Sequence, residues 1–229
     1  MTVADLGKIA LNARGTTSFD VTRLTPRETY KLLIGTVVPR PIAWVTTVDS
    51  EGRVNAAPYS FFNCLSADPP ILALGVENWP DMRFKDTAQN IRATEEFTVN
   101  IVSDALAEAM NVTATPFPTE VNELEQAGLT AVPGTHVGSP RIGEAPVAFE
   151  CRRHVSVAVG KSREIILGRV LAIHIRSDLV DPATHYVDQI GLDAIGRMGG
   201  HGYARTREQF DLKTMSFADW TEGRVPERR

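Results

Sequence analysis

The residues best suited to chemistry are concentrated in the stretch RFKDTAQN, from Arg83 to Asn90. Arg83 and Lys85 stand just before a predicted helix start, and Thr87 lies in its first turn. Free backbone N–H groups and the helix dipole favour an anion there, and lysine and threonine can add a charge and a hydroxyl. The pattern therefore predicts a phosphate site. It is also typical of an ordinary capped and solvated helix start, and the segment alone favours that simpler interpretation.

A second unusual stretch is NAAPYSFFNCLSADPP, from Asn55 to Pro70. Small residues, hydroxyls and amides surround the adjacent pair Phe61 and Phe62, and two prolines close the stretch. It is too polar for a buried strand and too aromatic for an ordinary surface loop. Adjacent strand residues point to opposite faces, so one of the two phenylalanines is expected to pack in the core.

The sequence lacks the motifs of several other common binding and catalytic sites. Neither G-x-G-x-x-G nor G-x-x-x-x-G-K-[ST] occurs, so Rossmann and P-loop nucleotide sites are not supported, and the G-x-S-x-G elbow is missing. The five histidines are dispersed without metal-ligand spacing. We therefore predict no metal site, and we expect His154 and His174, which lie in predicted strands, to be structural.

Composition limits the class of protein. The chain has 229 residues, a formal net charge of -4 and scattered basic residues, which argues against nucleic-acid binding. Cys64 and Cys151 are too far apart to form a disulfide framework or metal motif, and Cys64 is expected to be a small buried residue. The stretch MTVADLGKIALNARG lacks the regions of a signal peptide, and no apolar run approaches the roughly 20 residues of a membrane span. We expect a soluble, cytoplasmic protein with no membrane partner.

Short strands must position the two stretches. PIAWVTTV (Pro41–Val48), the turn DSEGR and the following VNAAPYS predict a hairpin in which Gly52 can take a positive φ. KDTAQNIRATEEF predicts a helix capped by Asp86 or Thr87. Further strands are predicted in PPILALGVE, FTVNIVS, APVAFECRRHVSVAV and SREIILGRVLAIHIR. Gly168, within the last of them, predicts a bulge or a close approach.

The order of these elements predicts the fold class. Strands follow one another in hairpin-like succession, helices are few, and regular βαβ alternation is absent. This arrangement favours an antiparallel barrel or sandwich over a doubly wound sheet.

The sequence also resembles a known family. VPRPIAWVTTVDSEGRVNAAPYSFFNCLSADPPILALGV looks like the opening of the flavin reductase-like family. KDTAQNI, FTVNIVS, SPRIGEAPVAFECR and LGRVLAIHI follow in that family's order, and IGRMGGHGY is similar to its C-terminal segment. The resemblance covers about residues 39–203. It implies a mainly β fold, a six-stranded antiparallel Greek-key split barrel with flanking helices. Residues 1–229 would form one FMN-binding domain with terminal extensions.

The resemblance implies a set of cofactor-binding residues. They are Thr46, Thr47, Ser60, Phe61, Phe62, Asn63, Arg83, Lys85, Thr87, Asn90 and Arg197. The two threonines offer strand hydroxyls, and residues 60–63 would meet the flavin ring and ribityl chain from a loop between the second and third strands. Residues 83–90 would hold the phosphate. His201 and Tyr203 would either position a nicotinamide near the ring or only close the barrel end.

The resemblance further implies a homodimer with FMN at the interface. Hydride would pass from NADH or NADPH to the flavin and onward to an unknown acceptor, and hydride transfer needs no catalytic acid or base. One alternative is an FMN-bound electron carrier without a nicotinamide site. Another is an FMN or pyridoxal-phosphate oxidase of the wider split-barrel superfamily. Residues 111–138 resemble nothing familiar and are expected to shape access for the acceptor.

Overall fold

The computed structural model describes residues 15–226. Residues 33–206 form the larger of two compact units, and the described residues on either side belong to the smaller one. The stretch matched by the resemblance lies inside the larger unit, and the single domain over 1–229 stays a prediction. The stretch MTVADLGKIALNARG, which lacks the regions of a signal peptide, lies outside the described residues except for Gly15. No helix in the described part of the chain has the length and hydrophobicity that a membrane span requires.

Twelve strands occur in the described residues, and most are short. They are β1 (Arg40–Pro41), β2 (Ala43–Val48), β3 (Val54–Tyr59), β4 (Phe62–Ala67), β5 (Pro70–Glu77), β6 (Glu96–Ile101), β7 (Ala131–Val132), β8 (Arg141–Ile142), β9 (Val147–Val159), β10 (Arg163–Ile175), β11 (Ile195–Arg197) and β12 (Tyr203–Arg205). The helices are α1 (Pro26–Thr36), α2 (Asp86–Thr94), α3 (Ala107–Val112), α4 (Glu123–Gln126), α5 (Gln189–Leu192) and α6 (Phe217–Thr221). Single 3-10 turns lie at Val21–Arg23, Asp104–Leu106 and Ser177–Leu179.

The main sheet has seven antiparallel strands in the order β3-β2-β6-β9-β10-β5-β4. Two small sheets, β1-β11-β12 and β7-β8, lie outside it. The prediction of a mainly β, antiparallel fold with few helices is therefore confirmed. The main sheet has seven strands, not six, because the expected loop between the second and third strands forms β4 and pairs with β5.

The predicted hairpin and helix are both present. β2 and β3 pair across a turn in which Gly52 has a φ of +83°. Helix α2 begins at Asp86, and its N-cap is Lys85, whose side chain makes no capping hydrogen bond. The prediction of Asp86 or Thr87 as the cap was wrong, because both residues already lie within the first helical turn.

The core of the larger unit forms two clusters on opposite faces of β2. Ala43 and Val45 belong to one, together with Phe97, and Trp44 belongs to the other. Successive side chains of a strand point to opposite faces, so β2 is buried on both sides. This explains why its sequence shows a continuous run of apolar and β-branched residues rather than alternation.

Gly168 lies where β10 passes close to a core side chain. The pairing of β10 with β9 shifts register between Leu167 and Gly168, which marks a bulge. A Cβ at Gly168 would overlap the ring of Phe97, a fully buried residue. The prediction of a bulge or a close approach is confirmed, and both occur at this position.

Candidate functional site

Two neighbouring cavities follow strand β3. The wide cavity has a volume of about 830 Å³ and the narrow cavity about 300 Å³. Pro58, Tyr59 and Ala114 line both of them. Asn55 lines the narrow cavity and Ser60 the wide one, and the five-residue advance between them is roughly 17 Å at the usual strand rise. The two cavities together suit an extended ligand that lies along β3.

A group of hydrogen-bonded side chains lies beside the narrow cavity. Asn55 Nδ2 donates to Thr87 Oγ1 at 3.0 Å and to Thr47 Oγ1 at 3.3 Å. Asn90 Nδ2 donates to Thr47 Oγ1 at 3.0 Å. Thr47, Thr87 and Asn90 are buried, so these contacts fix their positions. The structure thus brings together three residues singled out in the sequence and adds Asn55, which was missed.

Lys85 is the cation of the narrow cavity, which the acidic residues Asp86 and Glu123 also line. Its ammonium lies 5.2 Å from the centroid of the Trp79 ring, and both residues line the cavity. The Lys85 ammonium carries only donors and cannot cap α2, so the first N–H groups of the helix can bind another acceptor. A cation, a helix N-terminus and the Thr87 hydroxyl form a donor set that suits a phosphate.

Arg83 is not part of this set. It lines a third cavity of about 540 Å³, the outer cavity, which shares Trp79, Asp86 and Phe117 with the narrow one. Its Nε pairs with Asp81 Oδ2 at 2.6 Å. The sequence placed Arg83 beside Lys85 at one phosphate, whereas the structure places it one cavity further out.

Glu123 is a buried residue of the narrow cavity that sequence reasoning missed. Its Oε2 accepts from the backbone N–H of Ala56 at 3.0 Å and so covers part of the open edge of β3. Burial raises the pKa of Glu123, and the nearby charge of Asp86 raises it further, although the Ala56 hydrogen bond acts in the opposite direction. Neighbouring Glu125 is exposed, and nothing in the sequence separates the two acids.

Tyr59, also missed, lies between the two cavities. Burial raises the pKa of Tyr59 to about 12, while a hydrogen bond with Thr87 acts to lower it. The phenol is therefore uncharged at neutral pH. Its ring packs against the core, which makes Tyr59 a fixed wall between the cavities.

The C-terminal residues singled out in the sequence meet at the wide cavity. Arg197, His201 and Tyr203 line it together with Ser60. The Arg197 guanidinium carbon lies 4.5 Å from the centroid of the Tyr203 ring, and the two residues pair between β11 and β12. Arg197 also donates to the carbonyl of Gly200 at 2.7 Å. These contacts hold the segment against the cavity.

Arg40 joins the chain segments around the wide cavity. Its guanidinium is buried and donates to the carbonyls of Ile34 at 2.7 Å, Val37 at 2.8 Å and Met198 at 3.1 Å. Its Nε also donates to Ser60 Oγ at 3.4 Å. One side chain therefore connects the end of α1, the turn before β4 and the glycine-rich segment after β11.

Six predicted residues do not line the three cavities: Thr47 and Asn90, which lie beside the narrow cavity, and Thr46, Phe61, Phe62 and Asn63. Thr46 is fully buried, and its hydroxyl donates to the carbonyl of Pro140. Phe62 packs against the core, whereas Phe61 is 43% exposed, so one of the pair is a core residue as predicted. Asn63 is exposed, and its side-chain oxygen accepts from the backbone N–H of the next residue.

Residues 111–138, which the sequence did not place, contribute to all three cavities. Ala114 lines the wide and narrow cavities, and Phe117 lines the narrow and outer ones. This segment also carries Glu123. Residues 111–123 of this segment therefore form part of the wall of each of the three cavities.

The remaining candidates offer little chemistry. Among the described residues, no group of three or more histidine, cysteine or acidic side chains is arranged to hold a metal ion. Burial raises the pKa of the Cys151 thiol. Cys64 is exposed, contrary to expectation, because it lies on the edge strand β4. His174 bonds to Glu150 at 2.6 Å, in line with a structural role, whereas His154 is exposed.

Comparisons with known proteins find similar proteins that match most of the chain. A family model described as "Flavin reductase like domain" matches residues 34–191. An uncharacterized protein of Deinococcus radiodurans is 46% identical over 212 residues, covering 90% of this chain and 93% of that protein. Nitrilotriacetate monooxygenase component B from Bacillus cereus is 33% identical with a TM-score of 0.83, covering 87% of this chain and 100% of that one. The 2-nitrobenzoate 2-nitroreductase NbaA from Pseudomonas fluorescens is 36% identical with a TM-score of 0.81, covering 88% and 98%.

Proposed function

The chain belongs to the flavin reductase-like family, which assigns it a flavin-related redox role, and from that membership we propose that it is an NAD(P)H-dependent oxidoreductase that binds FMN. The observation that carries the proposal is the pair of cavities along β3. The narrow cavity has the donor set of a phosphate site, and the wide cavity has the room and the flat side chains that a ring system needs.

The residues present fit the cofactor. Lys85 and Thr87 would hold the phosphate, Asn55 would hold the Thr87 hydroxyl in place, and the small side chain of Ala57 leaves space along β3 for the ribityl chain. Ser60 and Arg197 would face the ring in the wide cavity. Bound flavin would supply the capacity to accept a hydride and pass electrons on. The chain's own task is to fix the ring, neutralise the phosphate and leave one ring face open.

A direct experiment tests this function. Adding FMN to the purified protein should produce the visible absorbance of a bound flavin, and the loaded protein should consume NADH or NADPH. A flavin spectrum without nicotinamide consumption would favour the alternative, an electron carrier without a nicotinamide site. Failure to bind FMN would contradict the proposal itself.

His201 and Tyr203 are proposed to position the nicotinamide in the wide cavity. His201→Ala is expected to lower the nicotinamide-dependent reduction rate by about tenfold, because small misplacements of a reacting pair are costly. FMN affinity and melting temperature should stay unchanged, and Tyr203→Phe, which keeps the ring, should retain most of the rate. Tyr186→Ala, at a residue that is 79% exposed, is the control. An unchanged rate in His201→Ala rejects positioning, and a joint fall of rate, affinity and melting temperature assigns His201 to structure.

An exposed apolar row on the main sheet supports a homodimer. Phe61, Ile165, Val157 and Val155 are between 39% and 47% exposed. Ile165 pairs with Val157 on one side and with Gly75 on the other. The N–H of Gly75 in turn donates to the carbonyl of Phe61 at 2.7 Å. Contiguous apolar patches of this kind mark interaction sites. We propose that a second copy covers this face, which would place Phe61 and Asn63 at an interface close to FMN.

The oligomeric state is open to direct measurement. Light scattering of the FMN-loaded protein is expected to give a dimer, and Val157→Asp should shift it to monomer, because a charge would be buried in the contact. Flavin bound between subunits should also stabilise the dimer by mass action. A Val157→Asp monomer that kept full FMN occupancy would contradict a site at the interface.

The two free cysteines fit a reducing compartment, so we also propose a cytoplasmic location.

A further inference from the structure

The charges that line the narrow cavity do not balance a phosphate. Lys85 is the one cation among the described residues that line it, and two acids, Asp86 and Glu123, line it as well. A phosphate monoester would add a charge of about −1.5 to −2 at neutral pH. The cavity has a volume of only about 300 Å³, and screening by salt takes effect only beyond about 8 Å, so each of these charges would act on the phosphate. Tight binding therefore favours the loss of one acidic charge.

Glu123 is better placed than Asp86 to give up its charge. It is 7% exposed, whereas Asp86 is half-buried. Asp86 also lies in the first turn of the nine-residue helix α2, where the helix dipole stabilises a carboxylate, whereas α4, which carries Glu123, has only four residues. Because burial disfavours the charged form of an acid, Glu123 is the first of the two to be protonated when negative charge is added nearby.

Protonation would not break the contact between Glu123 and β3. Its Oε2 accepts from the N–H of Ala56 at 3.0 Å, and a carboxylic acid still provides an acceptor oxygen for this bond. The acid form also gains an O–H donor that a carboxylate lacks. Since phosphate oxygens are strong acceptors, the acid form of Glu123 offers the phosphate a hydrogen bond that the ionised form cannot make.

The titratable groups that line the narrow cavity with Glu123 are Tyr59 from β3, and Lys85 and Asp86 from the start of α2. The Tyr59 phenol is uncharged at neutral pH, because burial raises its pKa to about 12. Burial and the charge of Asp86 both raise the pKa of Glu123, whereas hydrogen bonds with backbone N–H groups lower it. A bound phosphate would neutralise the charge of Lys85 and raise the pKa of Glu123 further.

We propose that Glu123 binds the flavin phosphate as a carboxylic acid and takes up a proton from the solvent when FMN enters the narrow cavity. Its O–H would donate to a phosphate oxygen, while its other oxygen accepts from Ala56. This role rests on the proposed function, because it requires the phosphate of FMN in the narrow cavity. Riboflavin, which lacks the phosphate, would bind without proton uptake.

Proton uptake makes the affinity for FMN depend on pH. Below the pKa of Glu123 in the free protein, which lies above the ordinary 4.5, the acid is already protonated and its contribution to the affinity is complete. As the pH rises from that pKa to the higher pKa of the complex, each pH unit weakens FMN binding by about tenfold, since one proton must be supplied. The affinity for riboflavin should not follow this slope.

The test is calorimetric titration of the purified protein with FMN and with riboflavin from about pH 5.5 to 8.5, a range that includes the second ionisation of a phosphate near pH 6. Two phosphate-free buffers that differ in heat of ionisation give the number of protons taken up. The wild-type protein should take up as much as about one proton per FMN and none per riboflavin. Glu123→Gln, which is neutral at every pH, should lose this uptake and bind FMN about tenfold more tightly than the wild-type protein at the alkaline end.

The variant and its control differ only in where the charge is removed. Glu123→Gln should fold normally, because the amide oxygen can still accept from the N–H of Ala56, and its melting temperature checks this. Glu125→Gln makes the same change at an exposed acid of α4 that lines neither the wide nor the narrow cavity. It should alter neither the proton uptake nor the affinity for either flavin.

The same dependence of FMN affinity on pH in the wild-type protein and in Glu123→Gln would overturn the proposal. A proton uptake that disappears in Asp86→Asn and persists in Glu123→Gln would also overturn it, because Asp86 would then be the group that titrates. FMN binding without proton uptake in the wild-type protein would reject the role of Glu123 and leave the proposed function standing. A protein that binds no FMN at any pH would contradict the proposed function as well.

Discussion

Replacing Lys85 with alanine is expected to weaken FMN binding by about tenfold or more and to affect riboflavin far less. Lys85 is the cation of the narrow cavity, beside the start of α2 and the Thr87 hydroxyl. A charge-assisted contact contributes about 1.5–3 kcal/mol, and 1.4 kcal/mol corresponds to a tenfold change in affinity. Riboflavin lacks the phosphate, so it cannot lose this contact. Fluorescence titration with both flavins measures the difference.

The control for this prediction is Lys161→Ala, which removes the same charge from the exposed turn between β9 and β10. It should leave both affinities unchanged, because Lys161 is exposed and lines neither the wide nor the narrow cavity, and the charge of a solvated lysine is screened by salt. Equal losses for FMN and riboflavin in Lys85→Ala would show that Lys85 shapes the cavity instead of binding phosphate.

A second large effect is expected at Glu150, a fully buried residue of β9. Its carboxylate accepts from the N–H of Thr135 at 2.8 Å and of His136 at 2.6 Å, and from the Thr135 hydroxyl at 3.1 Å. His174 Nε2 lies 2.6 Å from the same carboxylate. Burial alone would raise the pKa of Glu150, but these hydrogen bonds together lower it to about 2.

The lowered pKa makes Glu150 a source of pH-dependent stability. Its ordinary pKa is 4.5, so the contribution is complete above that pH and is lost as the pH falls through about 2. A shift of this size corresponds to about 3 kcal/mol. Glu150→Gln is therefore expected to lower the free energy of unfolding by about 3 kcal/mol at neutral pH. Urea denaturation at a series of pH values should also show a flatter acid limb for the variant.

Glu120→Gln, at an exposed acid, serves as the control and should change stability by less than about 0.5 kcal/mol. An acid limb as steep in Glu150→Gln as in the wild-type protein would show that other carboxylates determine acid unfolding.

Most strands could be predicted from the sequence because their determinants are local. β2, β9 and β10 are rich in β-branched residues and end at turn residues. β4 escaped prediction because its side chains are exposed or half-buried throughout, which leaves no alternation to detect. It exists because β5 offers hydrogen-bonding partners, and that information lies in the pairing of the two strands.

The candidate site was predictable in part for the same reason. Lys85 and Thr87 are marked by a local pattern before a helix, and the structure places both at the narrow cavity. Glu123 could not be found, because its burial depends on the N–H of Ala56, far away in the sequence. Arg83 shows the opposite limit: Lys85, two residues later, lines the narrow cavity, whereas Arg83 lines the outer one.

The hydrogen bonds of Arg40 link parts of the site that are far apart in the sequence and are therefore synthesised at different times. The residues that define the narrow cavity all lie between positions 55 and 123, whereas Arg40 must reach the carbonyl of Met198, 158 residues later in the chain. During synthesis the N-terminal parts of a chain emerge first, and contacts of large sequence separation form late. The segments that line the narrow cavity are therefore all synthesised while the ribosome is still adding the second half of the chain. The wide end, where hydride transfer is proposed to occur, closes only when the glycine-rich segment arrives.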